Sequence, residues 1–202
     1  EDISNTLSQD GIWVVEMNYT GDMVKYCGYD MISHEHVAYY TLTVFEKLIR
    51  RYGLYVNDVS LNSINGGSIR IFIGHREVQT ENVNRLKKME NEQGLDLKET
   101  YLNLESRIEK SKKKLRNKIV DIVGSGENVF VYGASTRGNT ILLYCDLGNN
   151  LIRGAAERNP LKYGLVTAGT RIPIMSEAEV RTLNPEYLLI LPYTFLNEFI
   201  DF

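Results

Sequence analysis

Hydrophobic and polar positions divide the chain into three stretches with different periodicities. The first stretch predicts a buried strand at 11–17, a helix at 41–52 and two strands at 54–61 and 68–74. Apolar residues recur at helical spacing in the helix, with Thr41 or Thr43 as a cap and Gly53 as a stop. Since Asn65-Gly66-Gly67 separates the last two strands, we expect a tight turn there.

The second stretch, 77–124, is strongly charged and has a narrow apolar stripe at spacings of three, four and seven residues. It predicts a helical connector between two domains, 1–76 and 125–202. The run Glu109-Lys110-Ser111-Lys112-Lys113-Lys114 is compatible with a patch for phosphates or membranes. Acidic neighbours favour a solvated helix face instead.

The third stretch alternates strands and helices. It predicts strands at 128–132, 151–156, 172–174 and 187–191. A helix follows Asn139, and another runs over 176–183 with Ser176 as cap and Glu179 at the capping-box position. This alternation is typical of a Rossmann-like parallel sheet, so the chain is predicted to be an α/β protein.

Composition narrows the function classes. The chain has 202 residues, a net charge of −3 and a pI near 5.7, which argues against a nucleic-acid-binding protein. Cys27 and Cys145 have no CxxC partner and are expected to be reduced thiols. No apolar run approaches the roughly 18 residues needed to cross a membrane. We therefore expect a cytoplasmic protein without a membrane partner; the sequence does not indicate its oligomeric state.

The segment richest in side chains that can transfer protons is Ser33-His34-Glu35-His36, because it holds two of the three histidines in the chain. Histidine moves protons near neutral pH, and a neighbouring carboxylate can fix its tautomer, which suggests a catalytic centre. Two polar loop histidines next to a helix start would give the same pattern. A metal site would need a third ligand, and HExxH is absent, so no metal is predicted here.

Two glycine turns could approach a ligand closely. Gly133 to Asn139 joins a strand to a helix and is a candidate anion site with Arg137, but it matches neither GxGxxG nor the P-loop. A turn that only packs helix on strand is the alternative. Glu157 could bind a ribose hydroxyl, which leaves a nicotinamide oxidoreductase open, although the missing glycine counts against it.

The second turn, Gly66-Gly67-Ser68, places Arg70 where it could reach a phosphate. The alternative is a plain hairpin turn with Arg70 on its solvent side.

Four segments resemble, in register, the signatures of S-adenosylmethionine-dependent sugar C-methyltransferases, which methylate a carbon of a nucleotide-linked deoxysugar. They are Ile32 to Thr43 with its His-Glu-His, Asn65 to Arg70, Tyr132 to Thr140, and Arg158 to Gly164 followed by Gly169 to Ile174. Residues 1–76 would then be the end of a class I methyltransferase sheet. The resemblance also implies that this chain is the C-terminal part of a longer enzyme, inactive by itself. The main S-adenosylmethionine loop and a zinc-binding segment would precede it.

In such an enzyme a base removes a proton next to the ketone of a 4-keto deoxysugar, and the enolate takes the methyl group. The resemblance assigns His36 as the base, Glu35 as its orienting group or a sugar contact, and His34 and Ser33 as neighbouring polar groups. The expected substrate-binding residues are Tyr39, Gly66, Gly67, Ser68, Arg70, Gly133, Ser135, Arg137, Asn139 and Lys162. A non-catalytic Rossmann-like module that binds a sugar nucleotide or acts as a scaffold is the alternative function.

The chain departs from the resembled family at several positions. Ser33 stands where a tyrosine is usual, Asn65 where a histidine is frequent, and Ala168 where a proline is usual. Tyr193-Thr194 replaces the usual Trp-Asn. Ser33 matters most for mechanism, because the tyrosine it replaces is expected among the catalytic groups and a serine hydroxyl cannot reach as far.

Overall fold

A computed structural model describes residues 1–192 and Leu196, and it divides the chain into two compact units. The first unit comprises Glu1–Gly28 and Val37–Glu105, and the second comprises Tyr29–His36 and the chain from Ser106 onward. The segment with the two neighbouring histidines therefore groups with the second unit, although it lies within the predicted first domain, 1–76. The predicted connector, 77–124, is divided between the units.

The first unit is built on a three-stranded antiparallel sheet in the order β1-β3-β2. Its strands are β1 (Trp13–Asn18), β2 (Tyr55–Asn62) and β3 (Ser68–Gly74), and its helices are α1 (Asp2–Thr6), α2 (Thr20–Tyr26), α3 (Leu42–Arg50) and α4 (Glu81–Glu92). Apolar side chains of the sheet, α3 and α4 form one core. The three predicted strands and the helix after Thr41 are confirmed.

The prediction that the first strand is buried is wrong. Trp13, Val15 and Met17 pack against the core, whereas Val14 is 50% exposed and Glu16 lies on the exposed side. Strand alternation sends successive side chains to opposite faces. A continuous run of apolar residues in the sequence therefore does not mean that both faces of the strand are buried.

The second unit contains a four-stranded parallel sheet in the order β6-β5-β4-β7. Its elements are most of α5 (Lys98–Gly124), then β4 (Val129–Tyr132), α6 (Thr136–Tyr144), β5 (Ala155–Glu157), β6 (Ile174–Ser176), α7 (Glu177–Thr182) and β7 (Tyr187–Ile190). The chain is thus an α/β protein with a Rossmann-like sheet, as predicted. Two strands begin later than predicted, at Ala155 and Ile174.

Local capping signals explain why several helices start where they do. The Thr41 side chain accepts a hydrogen bond from the Val44 N–H at 3.2 Å, and Ser176 and Glu179 form a reciprocal capping box before α7. Gly53 follows α3 with a φ of +67°, a conformation that glycine adopts without strain. Within the described part of the chain, no helix combines the length and the apolar character needed to cross a membrane.

Candidate active site

The segment with the two neighbouring histidines begins in a short 3-10 turn, Tyr29–Met31, and continues into a reverse turn. The His36 N–H donates to the Ser33 carbonyl at 3.0 Å, which closes the turn and leaves His34 and Glu35 exposed at its tip. His36 is half-buried. Of the three, His36 is therefore the side chain held most firmly by the protein.

The ring of His36 is oriented by a backbone carbonyl. Its Nδ1 atom lies 2.7 Å from the Met31 oxygen. A carbonyl oxygen only accepts hydrogen bonds, so Nδ1 carries the proton and, in the neutral ring, the lone pair lies on Nε2. The expectation that Glu35 orients His36 does not apply to Nδ1, because Met31 occupies that position.

A partly buried ion pair anchors the 3-10 turn. Asp30 is 4% exposed, and its Oδ2 accepts from Nε of Arg137 at 2.8 Å and from Nη2 at 2.5 Å. Arg137 lies in the first turn of α6. The guanidinium predicted to meet a substrate phosphate is thus committed, through these two nitrogens, to the segment that carries the histidines.

A groove of about 660 Å³ opens beside this segment in the second unit. Its polar residues are Ser33, His34, Thr136, Asn139 and Thr140, and its apolar residues are Ile32, Leu143, Tyr144 and Ala168. The predicted residues Ser33, His34 and Asn139 therefore share one groove. The α6 contributions recur at helical spacing, which places them on one face of the helix.

Asn139 has an unsatisfied polar atom. Its Oδ1 is buried, and no hydrogen-bond partner for it is found within residues 1–192 and Leu196. A buried amide oxygen without a protein partner is ordinarily satisfied by water or by a ligand. This observation is compatible with the prediction that Asn139 binds substrate.

The Gly133 turn is fixed by an acid and a lysine. Glu157 Oε2 accepts from the Ala134 N–H at 3.1 Å and from Lys162 Nζ at 3.1 Å, and Lys162 also donates to the Ala134 carbonyl at 2.9 Å. Ser135 caps α6 by accepting from the Gly138 N–H at 3.1 Å. The carboxylate considered for a ribose hydroxyl is therefore used to hold the turn.

Electrostatics agree with this role for Glu157. Burial raises the pKa of its carboxyl, but the Asn159 N–H, the Lys162 ammonium and the Ala134 N–H together hold the pKa below its ordinary value. The group is thus a charged, hydrogen-bonded anchor near neutral pH.

The other predicted residues lie in the first unit. Gly66 and Gly67 adopt φ values of +86° and +128° in the turn between β2 and β3. Ser68 donates to the Ile64 carbonyl at 3.0 Å, and Arg70, which is exposed, pairs with Glu16 at 2.7 Å. Tyr39 is half-buried. The exposed Arg70 matches the plain-hairpin interpretation of this turn.

Asp22 is a candidate that the sequence did not single out. A Cβ placed on Gly67 would lie 2.5 Å from the Asp22 Cβ, so only glycine allows the carboxylate to pack there. Burial raises the pKa of Asp22, with Lys25 opposing that shift. Asp30 was missed as well, although its place just before the histidines was a usable signal.

Comparison with known proteins shows which family this sequence belongs to. Residues 63–201 match the family model described as the C-methyltransferase C-terminal domain. The chain belongs to this family. It is also 33% identical over 202 residues to the C-methyltransferase NovU of Streptomyces niveus, covering 98% of this chain and 48% of NovU. The chain therefore spans about half the length of that curated relative.

Neither glycine turn by itself fits S-adenosylmethionine, the methyl donor that the sequence resemblance implies. The Gly66-Gly67 turn joins two antiparallel strands, and in the Gly133 turn Glu157 takes the Ala134 N–H. Neither offers a row of backbone donors to a cofactor. In the described residues, no group of three or more His, Cys, Asp or Glu side chains could hold a metal ion.

Proposed function

We propose that this chain is the C-terminal part of an S-adenosylmethionine-dependent C-methyltransferase that acts on a nucleotide-linked 4-keto deoxysugar. Its share of the reaction is to bind the acceptor sugar and to remove the proton next to the ketone. The observation that carries this proposal is His36, whose Nδ1–H donates to the Met31 carbonyl. Family membership and the likeness to the C-methyltransferase NovU support the reaction class.

The proposed proton transfer uses His36 Nε2 as the base. In the neutral ring with Nδ1 protonated, Nε2 holds the lone pair that can accept a proton. The proton next to the ketone moves to Nε2, and the electron pair of the broken C–H bond forms the enolate. A positioned base of this kind contributes roughly 10²- to 10⁴-fold to rate.

The groove beside Ser33 is the proposed location of the sugar in the second unit. Ser33, Thr136 and Thr140 bring hydroxyl groups, and Asn139 brings a buried amide oxygen that lacks a partner within the described residues. Ile32 and Leu143 supply apolar surface for the deoxy face of the ring. A sugar with a methyl group on one side and oxygens on the other matches this division.

The test isolates the first step. In the full-length protein, with a nucleotide-linked 4-keto deoxysugar in D₂O and no methyl donor, NMR would follow loss of the proton next to the ketone. His36→Gln should slow this exchange by roughly 10²-fold or more. His75→Gln is the matched control, because His75 lies in the first unit and does not line the groove, and it should change the exchange little. Equal exchange in wild type and His36→Gln would remove His36 from the role of base.

A non-catalytic sugar-nucleotide-binding module is the second candidate, and Ser33 is the observation that favours it. A serine hydroxyl cannot reach as far as the tyrosine usual in the resembled family. Tight binding of the nucleotide sugar without proton exchange or methyl transfer in the full-length wild type would establish this candidate instead.

A further inference from the structure

We infer that the Asp30–Arg137 ion pair is a positioning device that keeps the Met31 carbonyl on Nδ1 of His36 and thereby selects the ring nitrogen that acts as base. The proposal rests on the proposed function for what His36 does. The statement about its tautomer stands independently of any substrate. Arg137 is then a positioning residue, and its main task differs from phosphate binding.

The 3-10 turn depends on side-chain anchors, because a three-residue turn has little hydrogen bonding of its own. Asp30 is gripped by two nitrogens of one guanidinium, a planar arrangement that fixes direction as well as distance. Beside it, the Tyr29 hydroxyl lies 3.5 Å from Cys145 Sγ, and its ring packs on Tyr144 at 5.7 Å. Two consecutive residues of the turn are therefore attached to α6 or to the residue that ends it.

The third residue of the turn transmits this attachment to the histidine. Met31 is 1% exposed, so its position is set by packing, and its carbonyl lies 2.7 Å from His36 Nδ1. Its direct sequence neighbour is Asp30. Loss of the ion pair would release the peptide that carries this carbonyl. The neutral ring could then exchange its proton between Nδ1 and Nε2.

The chain offers a direct measurement, since it contains only three histidines. NMR of the 202-residue chain labelled with ¹³C and ¹⁵N in histidine, at about pH 8.5 where an ordinary histidine is neutral, reports the tautomer of each ring. His34→Gln and His36→Gln variants assign the signals. We expect the Nδ1–H form at His36 in the wild type.

His75 is the internal control. Its Nε2 lies 3.1 Å from the Leu7 carbonyl, so it should show the opposite tautomer, Nε2–H, in every variant. Asp30→Asn and Arg137→Gln should convert His36 to a mixture of tautomers and leave His75 unchanged. Arg137→Lys, which keeps the charge but loses the planar two-nitrogen grip, should lie between wild type and Arg137→Gln.

Two results would overturn the proposal. One is an Nε2–H form at His36 in the wild type. The other is an unchanged Nδ1–H form in Arg137→Gln, with the Asp30→Asn variant agreeing. A variant whose second unit failed to fold would reveal itself by loss of hydrogen-exchange protection in α6; Arg137→Lys would then decide, because it keeps the ion pair.

Kinetics on the full-length protein separate positioning from substrate contact. Arg137→Lys should lower the rate of proton exchange by roughly 10-fold or more, with KM for the nucleotide sugar nearly unchanged. A rise in KM at constant kcat would mean that Arg137 binds the substrate phosphate, and it would overturn the positioning role. If wild type shows no exchange at all, the proposed function fails while the tautomer measurement still decides the ion pair.

Discussion

Glu90 in the first unit and Asp30 in the second are carboxylates with 3% and 4% exposure, and each secures the start of an important element. Glu90 accepts from the N–H groups of Leu42 and Thr43 at 2.6 and 2.9 Å, at the beginning of α3. It also accepts from the hydroxyls of Thr43 and Tyr19 at 2.6 and 3.1 Å. Asp30 instead binds a guanidinium.

The difference shows two ways to hold a buried negative charge. At Glu90 it is stabilised by the positive end of a helix and by neutral donors, so the carboxylate acts as a long-range helix cap. At Asp30 it is stabilised by an opposite charge on a helix 107 residues later in the chain. Removal of Glu90 leaves neutral donors without an acceptor, whereas removal of Asp30 leaves a positive charge without that partner.

Removing the cap should have the largest effect. Glu90→Ala leaves two backbone N–H groups and two hydroxyls without their acceptor, so we expect unfolding of the first unit to require about 3–5 kcal/mol less. Trp13, the single tryptophan, packs on that core and reports urea unfolding by fluorescence. Glu92→Ala on the same helix is the control and should stay within about 0.5 kcal/mol. Equal losses in the two variants would show that the cap is not used.

Removing Asp30 should have the next largest effect, in the second unit. Asp30→Ala leaves Arg137 without that partner, but the arginine is 27% exposed and water can reach it, so we expect a loss of about 2 kcal/mol. Hydrogen exchange of α6 would report it. The exposed pair Asp10–Arg76 supplies the control: Asp10→Ala should leave exchange of α6 unchanged. If Asp30→Ala lost as much stability as Glu90→Ala, the proposed difference between a carboxylate held by neutral donors and one held by a guanidinium would be wrong.

Acid should weaken both units by a smaller amount, in part through Glu46 in the first unit and Glu157 in the second. In the first unit, burial raises the pKa of Glu46, but Lys87, Gln79 and Arg50 outweigh burial and keep it low; Glu157 is held low in the second unit. A depressed folded-state pKa gives stability that is present above the unfolded value, about 4.3, and is lost as pH falls through the folded value. Glu46→Gln should flatten the acid loss in Trp13 fluorescence, and Glu157→Gln that in α6 exchange. The prediction would be wrong if Glu46→Gln flattened the acid loss in α6 exchange and Glu157→Gln flattened that in Trp13 fluorescence.

Salt should have the smallest effect and should separate the two carboxylates. About 1 M NaCl shortens the Debye length to about 3 Å and partly screens the accessible side of Arg137. The free energy of opening α6, measured by hydrogen exchange, should therefore fall by a few tenths of a kcal/mol. The Glu90 cap binds neutral donors, and the salt response of the first unit should be the same in wild type and Glu90→Gln. A matching response in Asp30→Asn and wild type would show that screening acts elsewhere.

Local signals made much of the fold predictable. The strand at 68–74, the Thr41 cap and the Ser176 capping box depend on residues within a few positions of each other, and all three are confirmed. Helix α2 was missed, because its sequence Thr20-Gly21-Asp22 contains a glycine and carries no apolar periodicity. Its start depends on Tyr19, which bonds to Glu90 at a distance of 71 residues along the chain.

The candidate site was predictable in its residue types but not in its partners. The His-Glu-His pattern drew attention to His36, yet the group on its Nδ1 is a main-chain oxygen, which a sequence cannot distinguish from any other. Arg137 was expected to be available to a phosphate because an arginine at a helix start is typical of such sites. Its bond to Asp30 joins positions too far apart for any local pattern to indicate.

The separation between Asp30 and Arg137 also sets an order in time. During synthesis at about 5–20 residues per second, the 107 positions between them take about 5–20 s to appear. Over that interval the histidine segment exists without the helix that orders it. A chain interrupted between His36 and Arg137 would contain His34, Glu35 and His36 but not their anchor, so assembly of this segment waits for synthesis of α6.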